Sequence, residues 1–191
     1  QLIDVISQKS WSKNAVSLYL SRSWGLPDNI FEKETDETQI CNTIQASSEQ
    51  FCELLDYQYY IKQRALYNLN SGNQQERMLI HMPTGTGKTK TSMHIIANYI
   101  QFSLHNKGIV IWIAHTTELL EQAYNTFATV WGHLGNKEIN SYKLWGTQSI
   151  QDTNTELNGI VFCGLSKIMS IYDSSPELFE RLRKDCRYFC L

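Results

Sequence analysis

One short segment constrains the fold of this chain more than any other: the glycine-rich sequence MPTGTGKT at residues 82–89. The apolar run MLIH precedes it at residues 78–81, and apolar residues at helical spacing follow it from Met93 to Leu104. A strand, a loop ending in Gly-Lys-Thr and a helix make a P-loop, in which backbone N–H groups and the helix N-terminus bind phosphate. The sequence therefore predicts a binding site for a nucleoside triphosphate.

The roles of the loop residues follow from this chemistry. Gly85 and Gly87 lack the Cβ that would block the tight turn or the close approach of a phosphate. Lys88 is expected to reach the β- and γ-phosphates, and the Thr89 hydroxyl is expected to bind Mg²⁺, so these two are the predicted catalytic residues. Met82 stands where the pattern usually has Gly or Ala. The loop residues predicted to bind the nucleotide are Thr84, Gly85, Thr86, Gly87, Lys88 and Thr89.

Composition predicts an ordinary globular protein, because 42% of the 191 residues are hydrophobic and 19% are charged. The longest apolar run, residues 109–114, is far too short to span a membrane, and the N-terminus shows no signal-peptide pattern. We therefore expect a cytoplasmic protein with no membrane partner. The net charge of −2 does not by itself predict nucleic-acid binding.

Strands and helices are predicted to alternate along the second part of the chain. The predicted strands are residues 77–82, 109–114, 139–145, 159–163 and 187–191, and the predicted helices are 47–69, about 88–104, about 117–130 and 176–184. This alternation predicts an α/β fold with a parallel sheet and ligands at the carboxyl ends of its strands. Residues 1–45, with a helix at 10–24 and an acidic loop at 32–37, are predicted to be an accessory segment, mostly helix and loop, beside a main domain at 46–191.

With these elements in order, the chain resembles the first motor domain of superfamily 2 helicases and translocases, the DEAD/DEAH-like group. The likeness is closest to the branch with type III restriction enzyme motor subunits, in which the first position of motif I is often not glycine. Three further segments carry the resemblance: AHTTELLEQ at residues 114–122 resembles motif Ia, LDYQ at 55–58 the upstream glutamine motif, and IVFCGLS at 160–166 a later strand and turn that contact nucleic acid. The resemblance covers about residues 50–191 and implies a RecA-like P-loop NTPase domain with ATP and Mg²⁺ as cofactors.

The resemblance also implies roles for single residues outside the loop. Gln58 would pair with the adenine edge, although a half-buried helix glutamine is the structural alternative, and Tyr57 either flanks the base or belongs to the core. The residues that would contact nucleic acid are His115, Thr116, Thr117, Gly164 and Ser166. Many relatives have a threonine where this chain has Gly164, so Ser166 or a backbone N–H would have to replace that hydroxyl. Thr116 or Thr117 is also suited to cap a helix, and both roles use the same helix end.

Relatives in this group carry Asp-Glu on a strand that follows a helix like 176–184, and a second motor domain that supplies an arginine finger. The sequence stops at Leu191, before any Asp-Glu motif of this kind (Walker B). We therefore expect the domain to be incomplete at its C-terminus, part of a longer protein, and to be nearly inactive alone.

The resemblance implies an ATP-dependent DNA helicase or translocase, with DNA preferred over RNA because HTTELLEQ departs from the PTREL form of RNA-directed relatives. Restriction or antiviral defence, with a partner protein of that system, is the expected context. Two alternatives stay open: a P-loop ATPase of a non-helicase group, and a nucleotide-binding scaffold module of a defence or repair complex.

Overall fold

A computed structural model describes residues 41–46, 52–71, 77–105, 107–146 and 157–190. All of them belong to one compact unit, residues 40–191. The helix predicted at residues 10–24 and the acidic loop at 32–37 lie outside the described residues. The accessory role of the first segment therefore stays a prediction.

A mixed, mostly parallel sheet forms the centre of this unit. Its strands are β1 (Cys41–Ile44), β2 (Ile109–Ala114), β3 (Ile139–Leu144), β4 (Gly159–Gly164) and β5 (Cys186–Cys190), in the spatial order β1-β3-β4-β2-β5. Only β1 runs antiparallel, on its partner β3, while β3, β4, β2 and β5 are mutually parallel. The predicted α/β fold with a parallel sheet is confirmed.

Helices cover both faces of the sheet. They are α1 (Asp56–Leu69), α2 (Lys88–Asn98) with a π-helical turn at Tyr99–Ser103, α3 (Thr117–Leu134), α4 (Leu165–Ser174) and α5 (Pro176–Asp185). On one face Phe162 of β4 meets Phe127 of α3 with ring centroids 6.1 Å apart, in a cluster that includes α2. On the other face Val161 lies in a cluster with Ile171 of α4 and Leu182 of α5. Neighbouring residues of one strand thus pack in hydrophobic clusters on opposite faces of the sheet. This explains why the sequences of β2 and β4 are continuous apolar runs.

The prediction of a strand at residues 77–82 is wrong. This segment has no regular secondary structure, and Leu79 is 94% exposed. An extended segment needs a neighbouring strand to pair its backbone groups, and no strand among the described residues pairs with it. The apolar run that suggested a strand thus leads into the loop as irregular chain.

Two elements were not predicted, and one helix begins later than predicted. Residues 41–44, assigned from the sequence to the accessory segment, form β1 in the sheet. Helix α4 was also not predicted, because its N-cap, Gly164, supplies no side-chain hydrogen bond. The helix predicted from residue 47 begins at Asp56, since Cys52 to Leu55 are not helical.

The described part of the chain contains no helix with the length and apolar character of a membrane span.

Candidate functional site

The P-loop residues lie at the start of α2, toward the edge of the sheet where the parallel strands end. The α2 segment and its π-helical turn end at Ser103, and β2 begins at Ile109, so the chain reverses direction there. Because α2 crosses the sheet before that reversal, its N-terminus and the loop lie toward the carboxyl ends of the strands. This is where parallel α/β sheets bind their ligands.

Both loop glycines adopt the left-handed backbone conformation, Gly85 with φ +80° and Gly87 with φ +79°. A Cβ on Gly87 would lie 2.5 Å from the Gln58 Nε2 atom, whereas a Cβ on Gly85 would meet nothing within 4 Å. The conformation at position 87 therefore requires glycine, and a Cβ there would also displace the Gln58 amide. Gly85 requires glycine for its conformation alone.

The loop is closed by hydrogen bonds among its own residues. The Lys88 ammonium donates to the carbonyl oxygens of Met82, at 3.2 Å, and Pro83, at 3.1 Å. The Thr86 hydroxyl donates to the same Pro83 oxygen at 2.7 Å. Lys88 is exposed and Thr89 half-buried, so the ammonium and the hydroxyl stand at an open site.

These residues fit a bound triphosphate with Mg²⁺. Gly87 is the N-cap of α2 and, as a glycine, makes no side-chain cap hydrogen bond. The first-turn N–H groups thus have no acceptor from the N-cap side chain and are placed to bind phosphate oxygens. Thr89 offers one hydroxyl to a metal, and the described residues hold no cluster of three or more His, Cys, Asp or Glu that could hold one by themselves. Phosphate oxygens would have to complete the metal's coordination.

Helix α1 contacts the loop through two side chains. Gln58, 4% exposed, donates from Nε2 to the Thr86 carbonyl at 2.8 Å, and the Tyr57 hydroxyl donates to the same oxygen at 3.0 Å. The sequence placed Gln58 at the nucleotide site, and the structure places it against the loop. The contact of Tyr57 with the loop was missed, because only the fold brings this hydroxyl to Thr86.

The residues predicted to contact nucleic acid come together at the carboxyl ends of β2 and β4. Ala114 and Gly164 are register partners in the parallel ladder, so the residues that follow each strand start side by side. His115, Thr117 and Ser166 are exposed, Thr116 is half-buried and Gly164 is buried.

The Thr116 side chain caps α3, since its hydroxyl accepts a hydrogen bond from the Leu119 N–H at 3.3 Å. Thr117, the other candidate for the cap, is the first helical residue. Hydrogen bonds from the Glu118 backbone N–H and then from Thr116 lower the pKa of the Glu118 carboxyl. An anionic side chain therefore stands at the helix end where a nucleic-acid phosphate was expected to bind.

Sequence reasoning missed a cluster of lysine and aromatic side chains beside this edge. Lys143 Nζ lies 3.8 Å from the ring centroid of Tyr124 and 5.7 Å from that of Trp145. Lys167 Nζ donates to the Gly146 carbonyl at 3.4 Å. No motif in the sequence predicts this cluster, because β3, α3 and α4 each contribute to it.

A family model described as type III restriction enzyme, res subunit, matches residues 51–186 of the chain. No curated protein matches, and no solved structure does.

Proposed function

The chain belongs to the family of type III restriction enzyme res subunits, which have a superfamily 2 helicase-like motor domain, and on that premise we propose that it is the ATP-binding part of a DNA helicase or translocase. In this function, ATP hydrolysis is coupled to movement on DNA or to its unwinding. The observation that carries the proposal is the loop at residues 82–89, with both glycines left-handed and Lys88 as the first residue of α2.

The loop residues would hold the nucleotide by its phosphates. Lys88 would exchange the carbonyl oxygens of Met82 and Pro83 for β- and γ-phosphate oxygens, and the α2 N–H groups would bind the β-phosphate. Thr89 would give its hydroxyl to Mg²⁺, which neutralises charge that develops on the phosphates. These residues bind and orient the nucleotide but include no group placed to activate a water molecule.

We propose that the remaining catalytic groups, an Asp-Glu pair and an arginine from a second motor domain, come from other parts of the working enzyme. The 191-residue chain should then bind ATP but hydrolyse it slowly. A cytoplasmic location and a role in restriction or antiviral defence, with a partner protein of such a system, belong to the same proposal.

The carboxyl edge would hold the nucleic acid. His115, Thr116, Thr117 and Ser166, with the backbone at Gly164, would contact phosphates and so fix position without reading sequence. The paired carboxyl ends of β2 and β4 support this assignment, as does the pair Lys143 and Lys167 beside them. The preference for DNA over RNA rests on family likeness alone.

The test measures ATP binding and nucleic-acid binding separately. Isothermal titration of ATP with Mg²⁺ should show binding by the 191-residue chain that Lys88→Ala weakens at least about tenfold, since a charge-assisted contact is lost. Fluorescence anisotropy with single-stranded DNA, duplex DNA and RNA of one sequence should show tighter binding to DNA. Lys88→Ala serves as the control here, because it should leave DNA binding unchanged.

Three outcomes would contradict parts of the proposal. An unchanged ATP affinity in Lys88→Ala would mean that the nucleotide binds at a site other than the loop. Binding of ATP with none of the nucleic acids would favour the non-helicase ATPase. Rapid, DNA-stimulated hydrolysis by residues 1–191 would show that the chain already holds its catalytic groups.

A further inference from the structure

The carbonyl oxygen of Thr86 is held by two side chains of one helix. Tyr57 and Gln58 both donate to it, at 3.0 Å and 2.8 Å. The second Gln58 Nε2 hydrogen faces the Tyr57 hydroxyl at 3.4 Å, and Gln58 Oε1 accepts from the Leu55 N–H at 3.0 Å. The Gln58 amide is thus engaged at both ends inside the protein.

This arrangement conflicts with recognition of adenine by Gln58. Pairing with the adenine edge takes one free N–H and one free acceptor from a glutamine amide. Both Gln58 N–H groups are already used, and only 4% of the residue is exposed. A base could be read only after the contact with the loop is broken.

The contact instead orients the peptide that joins Thr86 to Gly87. In a planar trans peptide the C=O and N–H bonds point in opposite directions. Because Tyr57 and Gln58 hold the Thr86 carbonyl toward α1, the Gly87 N–H must point away from α1. That N–H belongs to the turn that leads into the open N-terminus of α2.

We propose that Tyr57 and Gln58 are positioning residues for the phosphate loop, and that Gln58 does not read the base while it holds the loop. This inference rests on the proposed nucleotide site and changes the role of Gln58 within it. Helix α1 then supports the loop before any nucleotide binds, and this support contributes equally to the binding of ATP and GTP.

The test compares three ligands, each with Mg²⁺: ATP, GTP and inorganic tripolyphosphate, which has no base. Tyr57→Phe and Gln58→Glu each remove one donor to Thr86, while Tyr60→Phe, at a residue of α1 that is 62% exposed, is the matched control. Dissociation constants should rise about five- to tenfold for all three ligands in both variants, since one hydrogen bond is lost. The control should bind like the parent chain.

A spectroscopic readout separates positioning from a loss of folding. In ¹³C NMR spectra of the nucleotide-free chain, the Thr86 carbonyl resonance should shift in Tyr57→Phe and stay in place in Tyr60→Phe. Thermal unfolding midpoints show whether each variant folds, and if Gln58→Glu does not, Tyr57→Phe decides alone.

Two results would overturn the inference: weaker ATP binding by Gln58→Glu with GTP and tripolyphosphate unchanged, or unchanged binding of all three ligands by Tyr57→Phe. Failure of the proposed site is distinct, because the parent chain would then bind none of the three ligands or bind them equally well after Lys88→Ala.

Discussion

The phosphate loop and the carboxyl edge of the sheet use similar chemistry, but they are built differently. The loop is one continuous segment, residues 82–89, in which the Thr86 and Lys88 side chains donate to the carbonyl oxygens of Met82 and Pro83. The edge takes its residues from the ends of β2 and β4, which only the pairing of Ala114 with Gly164 brings together. The loop has an open helix end, whereas Thr116 and Glu118 occupy the helix end at the edge.

Because of this difference, we expect the two regions to respond differently to substitution. A change in the loop disturbs several mutual contacts, so its effects should be large. A change at the edge alters a single group at the end of a strand, so its effects should be small and should modify affinity without disturbing folding.

The largest expected effect separates the two loop glycines. Gly87→Ala forces a Cβ into the left-handed region and against Gln58, while Gly85→Ala meets only the conformational strain of about 1–2 kcal/mol. Triphosphate affinity should fall at least about 100-fold in Gly87→Ala and about tenfold in Gly85→Ala. Calorimetric titration measures both, and equal losses would contradict the role of Gln58 in this contrast.

Acid should lower the free energy of unfolding through His94 of α2. Burial, and then the charges of Lys62 and Lys90, lower the pKa of His94 to about 4. Unfolded histidine titrates near 6.5, so the unfolded chain takes up this proton first as pH falls. The free energy of unfolding should therefore decrease between about pH 6.5 and 4, by roughly 3 kcal/mol in all.

Urea titrations across that pH range measure this loss. His94→Gln should flatten the slope, while His115→Gln, on the exposed loop after β2, should keep the parent's slope. The same slope in all three proteins would show that another group is responsible.

A smaller effect is expected at the edge, where Glu118 competes with phosphate for the end of α3. Glu118→Gln should strengthen binding of single-stranded DNA by about threefold at low salt, because it removes an anion from that site. Glu121→Gln makes the same charge change one turn further along α3 and is the control. Anisotropy titrations compare them, and an equal gain in both would mean that only net charge matters.

The smallest effect is expected from Gly164→Ser, which adds the hydroxyl that many relatives carry as a threonine. A Cβ there would have its nearest neighbours at 3.8 Å, and the φ of −70° suits any residue. DNA should bind about twofold more tightly, as expected for one added hydrogen bond. A fall in the thermal unfolding midpoint would show that the space at Gly164 is smaller than the structure indicates.

Sequence predicted best the features that one segment specifies by itself. The apolar run of β2, the P-loop residues and the start of α5 at Ser175-Pro176 are all local signals, and the parallel strands β2 to β5 begin and end within one residue of prediction. The predictions that failed concern segments whose structure depends on a pairing partner. Residues 77–82 look like a strand but pair with no strand in the described part of the chain, and β1 is too short to be predicted without β3.

The candidate site divides in the same way. The loop residues could be read from their order, but the Tyr57 hydroxyl and the cluster of Lys143 with Trp145 could not, since their partners come from distant elements. Register also lies outside sequence patterns, so the meeting of Ala114 with Gly164 became visible only in the sheet.

The two hydrogen bonds that α1 gives to Thr86 limit how far the loop can be moved to another protein. A graft of residues 82–89 with α2 would carry every residue of the recognised motif and leave behind Tyr57 and Gln58. Such a graft should bind phosphate poorly until its host supplies two donors at the same carbonyl. The smallest transferable phosphate-binding unit of this protein is therefore a pair of helices with the loop between them.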